Sequence, residues 1–425
     1  MTKKRTLALA VTLALAAWAS TANAASGTQI DTAIDKALGY LSGAQNAATG
    51  YWAYGGYEPA ATGAAAFAML SQQAHWGTNA AAYQTNVDKA INYLLSNATL
   101  NTVSTRNDGV NICPSAGSCS GVFWNAANNE DTYTTGLIAP AIALYGATKG
   151  AGTVATTTGP LAGMTWGQIA QGITNVFAAS QSTANQGVLR GGWRYTLGQP
   201  TYDSDMSTTQ WAAIAMIYAQ TLGASTPAIV KTDLANFLAF TQHPVTGAGC
   251  YQGPNSGLCD HADTGGLLLS LNFIGKGASD PAVQKALGFI NTNWTQPANG
   301  TWYGNFGQPY AMWAVYKGLE LNLGLDDTST ITNLRAGGCT TAGDPPTAPN
   351  VCNWWQDYND WLVWNQNVNG GWSGYDYWTG SLATAFYLPI LGGTEIPVPV
   401  PEPAGLALLA LGLLGVAGLR RRNAD

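Results

Sequence analysis

Internal repetition constrains this chain more than any other feature. Six times the sequence runs through a helical segment, a turn rich in glycine and aromatic residues, a second helix of small and apolar residues, and a break. The copies span residues 31–77, 85–146, 167–223, 228–275, 281–324 and 350–393. In the first segment apolar residues recur at steps of three and four, as in Ile34, Leu38 and Leu41, or Val283, Leu287 and Ile290. That spacing puts them along one helical face. The second segment is apolar nearly all round, as in GAAAFAML from Gly63 or GGLLLSLNFIG from Gly265. A helix with no polar face needs neighbours on every side. The second helices are therefore expected to form an inner ring and the first an outer ring. Six hairpins then close into an all-α (α/α)6 toroid, which removes the open ends that a solenoid must cap. Residues 25–393 are read as this single domain.

The two ends carry different information. Lys3, Lys4 and Arg5 precede an apolar run from Leu7 to Trp18, and Ala22-Asn23-Ala24 supplies a small-x-small exit. This order is that of a secretory signal peptide, residues 1–24, removed by cleavage after Ala24 during Sec export. At the other end a Pro-rich linker, 394–403, ends in IPVPVPEP; the apolar stretch Ala404 to Leu419 and Arg420, Arg421 and Arg422 follow. Proline holds the linker extended, and the arginines hold a short apolar helix in a membrane from the cytoplasmic side, at least transiently. Pro401-Glu402-Pro403, the Gly/Leu/Ala helix and the terminal arginines resemble a PEP-CTERM sorting signal over residues 401–425. The resemblance implies an exosortase as partner, cutting near the motif. It also implies anchoring in the inner membrane before sorting, and a destination in the cell envelope, outer surface or extracellular matrix of an exopolysaccharide-making bacterium.

Six of the 17 Lys+Arg residues belong to those two end segments, so the body is more acidic than the whole-chain net charge of −6 suggests. An acidic, sparsely charged body argues against nucleic acid as a partner. All six cysteines lie in the body, in close sequence pairs: Cys113 with Cys119, Cys250 with Cys259, and Cys339 with Cys352. An even count in an exported chain favours disulfides, and nearest-neighbour loops cost the least entropy to close. The spacings are not those of zinc sites and the chain has only three histidines, so no metal or other cofactor is expected.

The turns carry a second resemblance. Gln45 precedes Gly50-Tyr51-Trp52, Gln366 precedes Gly370-Gly371-Trp372, and Gly191-Gly192-Trp193 and Gly300-Thr301-Trp302 repeat the end of the pattern. This is similar to the QW repeat of squalene and hopene cyclases, whose α/α toroid is shared with protein prenyltransferases. The resemblance implies that glutamine ties the outer-helix end to backbone while tryptophan packs against it. The segment from Gly191 to Trp211 resembles exported bacterial relatives of unassigned substrate.

Between each turn and inner helix runs a short polar stretch. The copies align on a Thr-Gly or Thr-Gln step at Thr62, Thr135, Thr209, Thr264 and Thr379, with Tyr310-Ala311 in the fifth copy. Glu58, Asp131, Asp205 and Asp260 fall at one register before it, with Glu130, Asp203, His261, Asp263 and Asp376 within two residues. A closed toroid would bring these acids to one mouth. Helix capping explains single aspartates, and Asp260-x-x-Asp263 resembles a capping box; many acids at one opening suit a ligand as well. Asp205, Asp260, His261 and Asp263 are the candidate catalytic groups, with His261 expected to hold a proton between two anions. Glu58, Glu130, Asp131, Asp203, Trp211, Tyr310, Tyr375 and Asp376 are the candidate ligand contacts. Trp52, Trp193, Trp302 and Trp372 are assigned to core packing.

Hopene-type cyclases protonate an alkene with the central acid of a D-x-D-D motif. Asp260-His261-Ala262-Asp263 places Ala262 at that position, and Asp203-Ser204-Asp205-Met206 loses the last acid. The Asp/Cys/His zinc set of prenyltransferases has no counterpart. An aromatic cup edged with carboxylates suits carbohydrate, since sugar C–H faces stack on rings while hydroxyls bond to carboxylates. The leading reading is an exported toroid that binds exopolysaccharide. The alternatives are a glycan-active hydrolase or lyase using paired carboxylates, and a terpene cyclase-like enzyme with a degenerate motif.

Overall fold

A computed structural model describes residues 25–113, 117–183, 189–198, 203–298, 302–335 and 353–394. The signal peptide, the Pro-rich linker after Thr394, Pro401, Glu402 and Pro403 with the rest of the anchor segment, and the Cys339/Cys352 pair lie outside the described residues.

Twelve α-helices among the described residues alternate between two rings. The outer ring is α1 (Gly27–Ala44), α3 (Ala80–Ser96), α5 (Trp166–Ser180), α7 (Ala228–Thr241), α9 (Pro281–Asn293) and α11 (Trp354–Asn365). The inner ring is α2 (Glu58–Ser71), α4 (Asp131–Lys149), α6 (Met206–Gln220), α8 (His261–Phe273), α10 (Pro309–Leu323) and α12 (Gly380–Leu391). Outer helices bury one stripe; α1 buries Ala33, Ile34, Ala37, Leu38 and Leu41 and starts at a capping box between Ser26 and Gln29, which satisfies amides the first turn leaves open. Inner helices are buried all round, as α2 is from Ala60 to Leu70. Each inner helix packs on the next, α2 on α4 and so on to α12, and α12 packs back on α2. The ring is closed, and α1 also meets α11 and α12 at the seam.

Two sequence devices hold the rings. The threonine of the repeated step accepts a backbone hydrogen bond from the preceding turn. Thr62 takes the Trp52 amide at 3.1 Å, Thr135 that of Trp124 at 3.1 Å, Thr209 that of Trp193 at 3.0 Å and Thr264 that of Gly249 at 2.9 Å. In the sixth copy this part is played by Thr384, which takes the Trp372 amide at 3.3 Å. The expected alignment on Thr379 is therefore out of register by five residues: Ala385 rather than glycine follows Thr384, and the Thr-Gly step at Thr379 is the N-cap of α12. The glycine after the threonine admits the neighbouring inner helix: a Cβ on Gly136 would stand 2.5 Å from Trp211, and one on Gly265 2.4 Å from the Ala314 backbone.

The second device is the Gln–Trp turn. Gln45 Nε2 donates to the Gly50 carbonyl within its own turn and to Asn86 on the next outer helix. Gln181 does the same to Gly191 and Val230, Gln242 to Gly247 and Ala282, and Gln366 to Gly370 and Ala33. The indole N–H of Trp52, Trp124, Trp193 and Trp372 donates to a carbonyl near the outer-helix end, at 2.7–2.8 Å. Those four tryptophans are buried as core. Trp302, expected with them, is 41 % exposed.

Two short hairpins interrupt the helices. Strand β1 (Thr99–Val103) pairs antiparallel with β2 (Cys119–Phe123), and β3 (Gly249–Cys250) with β4 (Cys259–Asp260). Disulfides join Cys113 to Cys119 and Cys250 to Cys259, the latter directly across its ladder. At the far end of α10, Lys317 Nζ is buried between Glu320, at 2.6 Å, and the carbonyl of Thr394, at 2.6 Å, just after α12.

Candidate functional site

The amino-terminal ends of the six inner helices surround one opening. Ala60 of α2, Thr134 and Leu137 of α4, Ser207 of α6, Asp263 of α8, Tyr310 of α10 and Leu382 of α12 all line a cavity of about 900 Å³. Half of its lining is aromatic. Tyr310 stacks on Trp378 with centroids 5.0 Å apart and planes 9° from parallel, and Tyr133 stacks on Tyr195 at 6.0 Å. Nearer the outside, Trp302 meets Tyr375 edge to face at 5.6 Å and lies over Tyr377 at 6.4 Å. Trp302, Tyr303 and Tyr377 present much of their rings to solvent. Such pairs hold ring orientation as well as burying area.

Polar groups are few and ordered. Tyr310 Oη donates to the Ser207 carbonyl at 2.7 Å and accepts from Gln210. Tyr133 Oη donates to Ser207 Oγ at 2.8 Å, and Ser207 Oγ donates to Asp205 at 2.6 Å. Asp205 also pairs with Arg194, which in turn bonds Tyr251 Oη at 2.6 Å; Tyr251 and Tyr195 share a hydrogen bond of 2.9 Å. A fully buried carboxylate thereby anchors the wall without reaching the cavity.

Asp260 and Asp263 do reach it. Asp260 caps α8, accepting the Asp263 amide at 2.9 Å. Burial pushes its carboxyl up to about 6, against those backbone hydrogen bonds. Asp263 is 4 % exposed and its carboxyl oxygens make no hydrogen bond within the described chain. Burial, then the charges of Asp260 and Asp205, raise its pKa well above the usual aspartate value, so this carboxyl holds its proton more tightly than an exposed one. Glu130 also lines the cavity; burial raises it, against a hydrogen bond from Tyr57.

His261 is not a proton donor between two anions. It is 1 % exposed, its Nε2 donates to the Asn293 carbonyl at 3.0 Å, and its ring lies against Phe289 on α9. Burial lowers its pKa to about 4, leaving the imidazole neutral. It faces the outer ring because helix position N1 of α8 points away from the neighbouring acids.

Other expected residues separate in the same way. Tyr310 and Tyr375 line the cavity, whereas Trp211 lies behind it, stacked on Trp313 at 5.1 Å. Asp131 is buried at the start of α4, accepting the Ala126 and Leu197 amides. Glu58 accepts the Gly56 and Tyr54 amides in its own turn. Asp203 pairs with Arg194 at 3.3 Å and takes Gln252 at 3.0 Å. Asp376 is exposed in a turn at φ +48°. None of these four acids lines the cavity. The convergence of Glu58, Asp131, Asp205 and Asp260 on one opening thus reduces to Asp260; local caps and an ion pair consume the rest.

Residues 399–422 match the model of the PEP-CTERM protein-sorting motif. The chain is an exported, exosortase-sorted protein of the cell envelope. No curated protein matches this chain in sequence. Among solved structures it is similar to the type II terpene cyclase MstE from Scytonema. An apo single-site variant of that enzyme shows 14 % identity, TM-score 0.48, and coverage of 87 % of this chain and 98 % of that one. The unsubstituted apo form gives 15 %, 0.46, 86 % and 98 %. A variant in complex with geranylgeranyl dihydroxybenzoate gives 14 %, 0.46, 86 % and 97 %.

Ala262 lines the cavity between Asp260 and Asp263. Several lining groups escaped the sequence reading: Tyr54, Tyr57, Asn128, Tyr133, Ser207, Tyr251 and Tyr377. A signal existed for Tyr133 and Ser207, which stand two residues from Asp131 and Asp205. For Tyr251 it lay in the neighbouring disulfide cysteine. No helix of the described residues is long and apolar enough to cross a membrane.

Proposed function

We propose that the exported toroid binds a polysaccharide segment in this cup. The observation that supports it most is the rim: Trp302, Tyr303 and Tyr377 offer exposed ring faces beside Tyr375, with Asn128, Glu130 and Asp260 set among the aromatics of the lining. Pyranose C–H faces stack on such rings, and flanking carboxylates and amides take hydroxyls. The cavity of about 900 Å³ is in the range of pockets that enclose a ligand of a few rings. The test is retention of the mature protein on a glycan array and on immobilised exopolysaccharide from its own producer. The double variant Trp302→Ala/Tyr377→Ala should lose retention at unchanged thermal midpoint. No glycan retained by the unsubstituted protein, or equal retention by the variant, removes this reading.

Asp263 favours a second reading, in which the bound glycan is cleaved. A carboxyl beside Asp260 that holds its proton more tightly than usual and makes no hydrogen bond within the described chain suits a proton donor to a glycosidic oxygen. New reducing ends released from the retained glycan, and absent with Asp263→Asn, would support hydrolysis. Retention without release leaves binding alone.

A further inference from the structure

At the seam of the ring, on the outer side, α11 carries a second carboxyl whose surroundings do not suit it. Asp360 is 3 % exposed. Its Oδ1 accepts a hydrogen bond from the backbone nitrogen of Ala25, and its Oδ2 is buried without a partner. The nearest cation is engaged elsewhere: Arg335 donates from Nε to Asp357 Oδ1 at 2.8 Å, from its backbone nitrogen to Asp357 Oδ2 at 3.0 Å and from Nη2 to the Asp357 carbonyl at 2.8 Å. Asp357 also takes the Trp294 indole at 2.7 Å. Burial pushes Asp360 up to about 7. A buried carboxylate served by one amide is costly; the missing component is a positive charge at the position of the Ala25 nitrogen.

The sequence supplies one there. Cleavage after Ala22-Asn23-Ala24 adds water across the Ala24–Ala25 amide. The C–N bond breaks, hydroxyl goes to the Ala24 carbonyl carbon, and the Ala25 nitrogen gains hydrogen and is protonated as the α-ammonium. That group has three donors where the amide has one, enough to serve both oxygens. Ala25 is delivered rigidly, because Ser26 caps α1 and its own amide donates to Gln29 Oε1 at 2.9 Å.

We propose that the mature amino terminus, created by cleavage between Ala24 and Ala25, docks as an ammonium on the Asp360 carboxylate and fastens α1 to α11. Removal of the export signal then completes the closure of the ring. The proposal is independent of what the cup binds.

The test begins with the secreted protein, whose amino-terminal residue and intact mass should identify Ala25. The mature chain is next compared with the same chain carrying one additional alanine before Ala25, each with Asp360 and with Asp360→Asn. The extension should lower the thermal midpoint by at least about 2 °C when Asp360 is present, and by less than half as much with Asp360→Asn. Should the Asp360→Asn chain not fold, acylation of the α-amine at pH 7 replaces the comparison: native mature protein should react at least about tenfold more slowly than the denatured chain, as a pairing carboxylate raises the amine pKa. A mature terminus other than Ala25, equal losses in both backgrounds, or equal acylation rates would overturn the proposal.

Discussion

Gln366 donates one amide hydrogen to the carbonyl of Ala33, 333 residues away in sequence, at 2.8 Å, while holding its own turn at Gly370. The first and last hairpins are thus joined by the same bond that joins neighbours elsewhere, as Gln45 joins Asn86.

Replacing Gln366 by alanine should cost about 2 kcal/mol of stability, because two carbonyls lose a partner in a crowded turn. Gln45→Ala should cost a similar amount. Urea unfolding of both variants checks this; a loss for Gln366→Ala near zero beside a full loss for Gln45→Ala would mean an open seam.

Gly191 sits at φ +102° with space for a Cβ only 1.9 Å from the Asp233 carbonyl. Gly191→Ala should therefore destabilise by about 3 kcal/mol or more. Gly223, at φ +85° with nothing within 4 Å, bears the conformational strain alone, so Gly223→Ala should cost only about 1 kcal/mol. Thermal midpoints of the two variants should differ accordingly, and equal midpoints would refute the close approach.

The raised Asp263 carboxyl makes a statement about pH. The folded chain holds the proton more tightly than the unfolded chain, so stability is full below the ordinary aspartate range. It falls as pH rises from there toward the folded pKa. Asp263→Asn removes the ionising group while keeping its shape, and should be more stable than the natural chain at pH 7 by about 1 kcal/mol or more, with the difference vanishing near pH 4. A difference that stays constant from pH 4 to 8 would contradict the assignment.

The Cys250–Cys259 bond pins the ladder that ends at Asp260, the cap of α8. Cys250→Ser/Cys259→Ser should lower stability by about 2–3 kcal/mol. It should also weaken glycan retention, since Asp260, Tyr251 and Leu258 all line the cup. Retention unchanged in a folded double variant would show that the hairpin does not shape the opening.

Much of this architecture was legible before any coordinates. The stripe of Ile34, Leu38 and Leu41 against the all-round apolarity of residues 63–70 distinguishes outer from inner helices, because a helix records its surroundings in its period. The Gln–Trp turns were legible for a related reason: three copies, at Gln45/Trp52, Gln181/Trp193 and Gln366/Trp372, solve the same junction with the same residues. The cup was less so. Acidic residues at helix starts are written alike whether they cap, as Glu58 and Asp131 satisfy local amides, or face the cavity, as Asp263 does. One step along a helix turns a side chain by about 100°, which is what sends His261 toward Phe289. Sequence spacing carries no sign of which rotation a given cap adopts, and the Thr-Gly step at Thr379 stood in for Thr384 because alanine follows Thr384.

The inner helices all start at the cup, so α12 ends at the opposite pole. There Lys317 grips Thr394, the last described residue before the Pro-rich tail. The described chain therefore ends at the pole opposite the aromatic opening.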